Sequence, residues 1–164
     1  MKQDHTSPFR LGAVGFAAGL AGTAAMLAMR MFDQKYAPRT VPKAKANPSE
    51  FIIHAMEESV GAAATVPRPV ELAAAMTTHF AYGAAFGTLY GLIRRRGGRR
   101  SALADGVALG SVVYAAGYLG WLPLMGLTKP VWKQAFPEIA GELLRHVAYG
   151  VATTATYGVI DATT

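Results

Sequence analysis

Residues 71 to 93 and 138 to 160 are two copies of one segment, held at a fixed offset. Glu71, Ala73, His79, Ala81, Tyr82, Gly83, Ala85, Tyr90, Gly91 and Ile93 recur as Glu138, Ala140, His146, Ala148, Tyr149, Gly150, Ala152, Tyr157, Gly158 and Ile160, and Leu72 faces Ile139. Such a run in one short chain means duplication. Each copy is also long and apolar enough to read as a helix crossing a bilayer, because only helices and closed barrels satisfy their backbone in lipid. The duplication carries a histidine to the same depth in both copies, and hydrocarbon tolerates an imidazole only where something engages it.

The rest of the chain points the same way. Hydrophobic residues make up 52% of the 164, and charged residues only 16%, too apolar a balance for an ordinary soluble domain. Leu11 to Met29, Leu72 to Ile93 and Gly106 to Thr128 carry no charge, and each suffices for a hydrocarbon core of roughly 30 Å at ~1.5 Å per residue. Ile139 to Ile160 holds Glu142, Arg145 and His146 in its first third; its kinship with the second span makes it the fourth. The expected fold is an all-α membrane protein, a single transmembrane domain over 1–164. Its helices fall at about 11–31, 71–93, 102–125 and 138–160, with a long basic loop 33–70 that includes an interfacial helix over 51–60. The halves are expected to be tandem two-helix repeats related by a pseudo-twofold axis along the membrane normal. The first span exceeds a signal-peptide core and reads as a retained anchor. The chain has no cysteine, which removes disulfide, thiolate and iron–sulfur chemistry.

Gly12, Gly15, Gly19 and Gly22 in the first helix, and Gly106, Gly110 and Gly117 in the third, recur at helical spacing. Seams of small residues let helices approach closely in lipid, so these are read as packing positions. Exposed small residues of this kind also favour association with a second copy or with other membrane subunits. Arg94, Arg95, Arg96, Arg99 and Arg100 fill the tight connection between the second and third spans. The positive-inside rule puts that loop and both termini in the cytoplasm, and its charge suits anionic lipid headgroups rather than nucleic acid.

Chemistry, if any, is expected at His79, Glu142, Arg145 and His146. On the fourth helix Glu142, His146, Gly150, Thr153 and Tyr157 form a polar stripe that lipid cannot satisfy, so it should face the bundle interior. Arg145 is read as pairing with Glu142 three residues away or reaching toward headgroups. Three readings of the histidine pair stand open: a structural pin between helices, a Glu/His path for protons or a small solute, and a bis-histidine site for haem b, with Gly83 and Gly150 leaving room for the ring. A dinuclear metal site lacks carboxylates, since Ala75 stands where the other copy has Glu142, and the metal content is left unassigned. Phosphate loops, nucleophile elbows and catalytic dyads are absent from the sequence, so no enzymatic activity is expected. The leading reading is a structural or accessory component of a membrane assembly, followed by a small channel or transporter, with a haem protein third.

Leu122 to Val131 reads LPLMGLTKPV, and Glu138 to His146 reads EIAGELLRH, with Thr78 and His79 on an upstream helix. This combination resembles the YagU-like bacterial inner-membrane proteins, over the second half of the chain and the second span in outline. The resemblance implies a multi-pass protein of the bacterial plasma membrane. Its pattern falls on His79, Pro123, Gly126, Pro130, Glu142 and His146, with Pro123, Gly126 and Pro130 as its structural motif, and it implies no reaction.

Overall fold

Pro8 sits in the first turn of α1 (Pro8–Tyr36), where its missing N–H removes no helical bond, and the helix then runs 29 residues, about 44 Å. A computed structural model describes residues 7–41, 48–62, 65–94 and 101–163, and among these all regular structure is helical. A 3₁₀ turn (Pro38–Thr40) follows α1, then α2 (Pro48–Ser59), α3 (Arg68–Ile93) and α4 (Ala102–Tyr114). From α4 the chain continues through a π-helical stretch, Ala115–Trp121, into the short α5 (Leu122–Leu124). A 3₁₀ turn (Val131–Lys133) leads to α6 (Phe136–Thr163).

The long helices alternate in direction. α1 lies against α3 and α6, and α4 lies against α6, so α1 and α6 form the central pair. α3 and α4 meet chiefly where Tyr90 approaches Asp105, at 3.5 Å. A strict twofold between the halves would pack α3 along α4 as α1 packs along α6, and the described residues do not follow it. Nor do α3 and α6 stand apart as a diagonal pair: the Tyr149 hydroxyl of α6 donates to the Gly83 carbonyl of α3 at 2.6 Å.

Among the described residues, two helices, Pro8–Tyr36 and Ala102–Leu124, are long and apolar enough to cross a membrane. α3 and α6 are comparably long, at 26 and 28 residues, but their histidine, threonine, tyrosine and charged side chains lower their apolarity. On α6 the polar stripe of Glu142, Arg145, His146, Thr153, Thr154 and Tyr157 is buried, whereas Thr77 and Tyr82 of α3 are exposed. Arg145, Tyr157, Thr153 and Thr154 are the largest fully buried side chains, whereas Phe16, Leu89, Val112, Leu119, Leu144 and Val159 are exposed.

Glycine sets the helix spacing at one end. A Cβ on Gly19 would fall 2.5 Å from the Gly83 carbonyl, and one on Gly106 would fall 2.6 Å from the Val151 Cα. Gly15, Gly22 and Gly110 are equally confined, against Gly87, Tyr149 and His146 backbone. Gly12 and Gly117 depart from the expected seam. Their nearest neighbours would lie at 3.6 and 3.8 Å, ordinary contact distances. Gly83 and Gly150 belong to the seam instead, opposite Thr23 and the Gly106 backbone.

The stretch expected to be helical over 51–60 forms α2, from Pro48 to Ser59, and its start turns inward. Ser49 is buried and Phe51 packs on a cluster of Tyr114, Tyr118, Leu122 and Leu127, while Met56 and Val60 stay exposed. Glu50 takes an ion pair from Arg68 at 2.5 Å, and Arg68 also holds Glu71 at 2.8 Å, tying α2 to the start of α3.

Candidate functional site

Arg145 has no exposed surface at all. Its Nη1 donates to Asp33 Oδ2 at 2.5 Å, and its Nη2 donates to Glu142 Oε2 at 2.7 Å and to the Thr40 carbonyl at 2.8 Å. A guanidinium presents five donors in a fixed plane, which suits it to bridge two carboxylates and a carbonyl. Three segments must converge for this. α6 supplies Glu142 and Arg145 one turn apart, the last turns of α1 supply Asp33, and the following 3₁₀ turn supplies Thr40. Gly141 permits the approach, because a Cβ there would fall 2.5 Å from the Thr40 carbonyl oxygen. The i, i+3 pairing read from sequence is present, whereas extension toward headgroups is not. Asp33 escaped the sequence reading because it was placed at the start of the loop, and α1 runs past it to Tyr36.

Next to this network lies a cavity of about 110 Å³, large enough for several water molecules. His79, Glu142 and His146 all line it, with Thr23 and Arg30 from α1, Ser49 and Ile52 from α2, and Tyr118 from the π-helical stretch. His146 Nδ1 lies 2.8 Å from the Glu142 carbonyl. A carbonyl only accepts, so Nδ1 carries the proton and the neutral ring keeps Nε2 as an acceptor. The His146 ring meets Tyr114 and Tyr118 edge-on, with centroids 5.6 Å away in each case, and the two tyrosines stack on each other at 5.4 Å. His79 Nε2 is buried without a hydrogen-bond partner among the described residues. The π-helical stretch, kinked at Gly120 (φ −100°, ψ −110°), forms this wall, in keeping with the frequency of π-bulges at functional sites.

Residues 25–155, spanning the network and all of the cavity lining except Thr23, match a family described as a protein of unknown function, DUF1440. The chain belongs to that family. No curated protein and no solved structure matched it. The DUF1440 match covers every residue that touches Arg145 and both histidines of the cavity.

The two histidines of this DUF1440 chain do not fit a haem. The cavity is far below the several hundred Å³ that a ligand of drug size or larger occupies, His146 is wedged against two tyrosines, and Gly83 and Gly150 are filled by Thr23 and the Gly106 backbone. Elsewhere, ligand atoms of His54, Glu57 and Glu71 lie within 4.8 Å of one another. Arg68 already engages Glu71 there, and the His54 side chain is 53% exposed, so the cluster is a latch between α2 and α3.

Gly126 takes φ +70°. Its N–H donates to the Pro123 carbonyl at 3.0 Å, and the Leu127 N–H donates to the Leu122 carbonyl at 3.0 Å. These two bonds are a Schellman cap, with Leu122 and Leu127 in its hydrophobic contact. Pro130 opens the 3₁₀ turn at Val131. At the opposite end of the bundle, the Arg94 guanidinium sits over the Tyr90 and Tyr157 rings, 5.7 and 5.1 Å from their centroids, and donates to the Tyr90 hydroxyl at 2.9 Å. Arg95, Arg96, Arg99 and Arg100 lie outside the described residues.

Proposed function

We propose that this DUF1440 chain is a four-span protein of the bacterial inner membrane whose interior cavity receives a small polar solute in transit across, or held within, the bilayer. The carrying observation is the convergence of His79, Glu142 and His146 on one cavity beside a fully buried Arg145. Ionisable groups inside a membrane protein mark solute or proton routes when they surround open space rather than one another. His79 Nε2, left without a protein partner, fits a group that awaits a visitor better than one that pins two helices.

The inside-out distribution of side chains supports four spans. Charged and hydroxyl groups fill the interior while leucine, valine and phenylalanine cover the outside, the inverse of a water-soluble bundle. The arginine connection at 94–100 supports cytoplasmic termini. Of the glycines read as packing positions, Gly15, Gly19, Gly22, Gly106 and Gly110 are occupied within one chain, and these five give no argument for a partner.

Reconstitution in proteoliposomes tests the reading. Wild-type protein is expected to carry a small polar solute or protons, and Glu142→Gln to abolish the flux while the protein still folds. Equal flux from the Glu142→Gln and wild-type proteins would remove the site from the pathway. Orientation is checked by labelling Gly98→Cys in intact cells, where modification from the periplasmic side would reverse the assignment.

A further inference from the structure

Arg30 lines the cavity and makes no ion pair among the described residues. Glu142 lines the same cavity and Asp33 lies three residues on in α1, and both are engaged by Arg145. An arginine that lines a sheltered cavity and has no direct ion pair there draws an anion, because the lowered dielectric strengthens its field and few waters compete. His79 Nε2 lines the same cavity and has no partner among the described residues; in the tautomer that carries its proton there it donates a second hydrogen bond to such an anion. Met26, Ile52, Val113 and Leu122 give the wall an apolar part, beside the polar Thr23, Ser49, Tyr118 and Glu142.

From this combination we infer that the cavity binds a short-chain organic monocarboxylate, its carboxylate between Arg30 and His79 and its hydrocarbon tail against Met26, Ile52 and Leu122. A planar carboxylate matches the guanidinium fork. The apolar part of the wall disfavours a fully hydrated inorganic anion, whose shell it cannot replace. At about 110 Å³ the space limits the tail to a few carbons. This assignment rests on the solute-site reading above and names its ligand.

The test uses purified full-length protein in detergent, with thermal unfolding followed against acetate, propionate, butyrate, hexanoate, propionamide, chloride and phosphate. Stabilisation is expected to rise from acetate to propionate or butyrate, to fall at hexanoate, and to be absent with propionamide. Arg30→Gln should weaken the best carboxylate about ten- to a hundredfold, the scale of one charge-assisted pair, and His79→Leu by a smaller factor. If Arg30→Gln does not fold, Arg30→Lys serves, with retained charge but a lost fork and an intermediate affinity. Equal stabilisation by chloride, phosphate or propionamide, or unchanged affinity in the Arg30 variants, would overturn the carboxylate. Proteoliposome flux separates the two claims. Transport without carboxylate binding leaves the pathway and removes this ligand, whereas tight carboxylate binding without any flux leaves the ligand and removes the pathway.

Discussion

Around Gly15, Gly87, Gly106 and Gly150 the four long helices meet backbone to backbone, whereas around Arg30, His79, Tyr118 and Glu142 the same helices are held apart by large side chains. The change occurs at one level in every helix. It follows Gly22 in α1, where Met26 and Arg30 come next, and Gly110 in α4, where Tyr114 and Tyr118 come next. It precedes Gly83 in α3, after His79, and Gly150 in α6, after Glu142 and His146. Helix separation is set by the residues at the contact. A bundle closed at one end and open at the other therefore needs no unusual backbone, only a switch in side-chain size, plus the π-helical stretch that turns Tyr118 inward.

The comparison is broken most strongly at the open end. Its helices are held by Arg145 and its three acceptors, so replacing Arg145 with Met leaves Asp33 and Glu142 as uncompensated buried carboxylates. The expected loss is about 3 to 5 kcal/mol, read as a collapse of thermal stability in detergent. Replacing all three charged residues with apolar side chains of similar size should recover much of that loss, since a whole network removed leaves no orphaned charge. An Arg145→Met protein that melts like wild type would show that packing, and not this network, holds the open end.

At the closed end the largest effect should come from Gly15→Ala and Gly110→Ala. The added methyl has nowhere to go but the Gly87 or His146 backbone, and pushing two helices apart costs about 1 to 3 kcal/mol for overpacking. Chemical denaturation in mixed micelles should show lower midpoints for both. If both midpoints match wild type, the close approach of the helices is not what stabilises this end.

Sequence patterns reveal these two ends unequally. The duplication exposes His79 and His146, and one-turn spacing exposes Glu142, because both signals live within a single helix. Asp33, Thr40 and Arg30 carry no such signal. They matter only because the end of α1 and the turn after it fold back onto α6, contacts more than 100 residues apart in the chain for Arg145 with Asp33 and Thr40. The inward turn of α2 is equally silent, since Phe51, Ile52 and Met56 look alike to a periodicity argument although Ile52 lines the cavity and Met56 is exposed. The kink at Gly120 likewise has no marker that sets it apart from the packing glycines.

The Schellman cap at the end of α5 gives a smaller effect. Gly126→Ala forces a Cβ into the left-handed region that the Schellman bonds require, at a cost of about 1 kcal/mol. Nothing crowds the position, so the whole change should be conformational. Gly126→Asn, which tolerates that region, should lose less. Equal losses from Ala and Asn would point to a different origin.

Gly117 gives the smallest change in stability and separates the two ends most cleanly. It has the same helical spacing as Gly106 and Gly110, yet it lies at the open end, where a Cβ would meet only the Leu122 Cδ1 at 3.8 Å. Alanine there should shift stability by less than about 0.5 kcal/mol, because the small gain in helix propensity is not opposed by a clash. Gly117 also lines the cavity, so the methyl takes space from any occupant. Gly117→Ala is therefore expected to melt like wild type while weakening carboxylate stabilisation, most for the longest acid that still binds. Gly110→Ala should do the reverse, with lower stability and an unchanged order of preference among the acids. A Gly117→Ala protein as unstable as Gly110→Ala would mean that the glycine seam runs the full length of the bundle, and that its open end is not open.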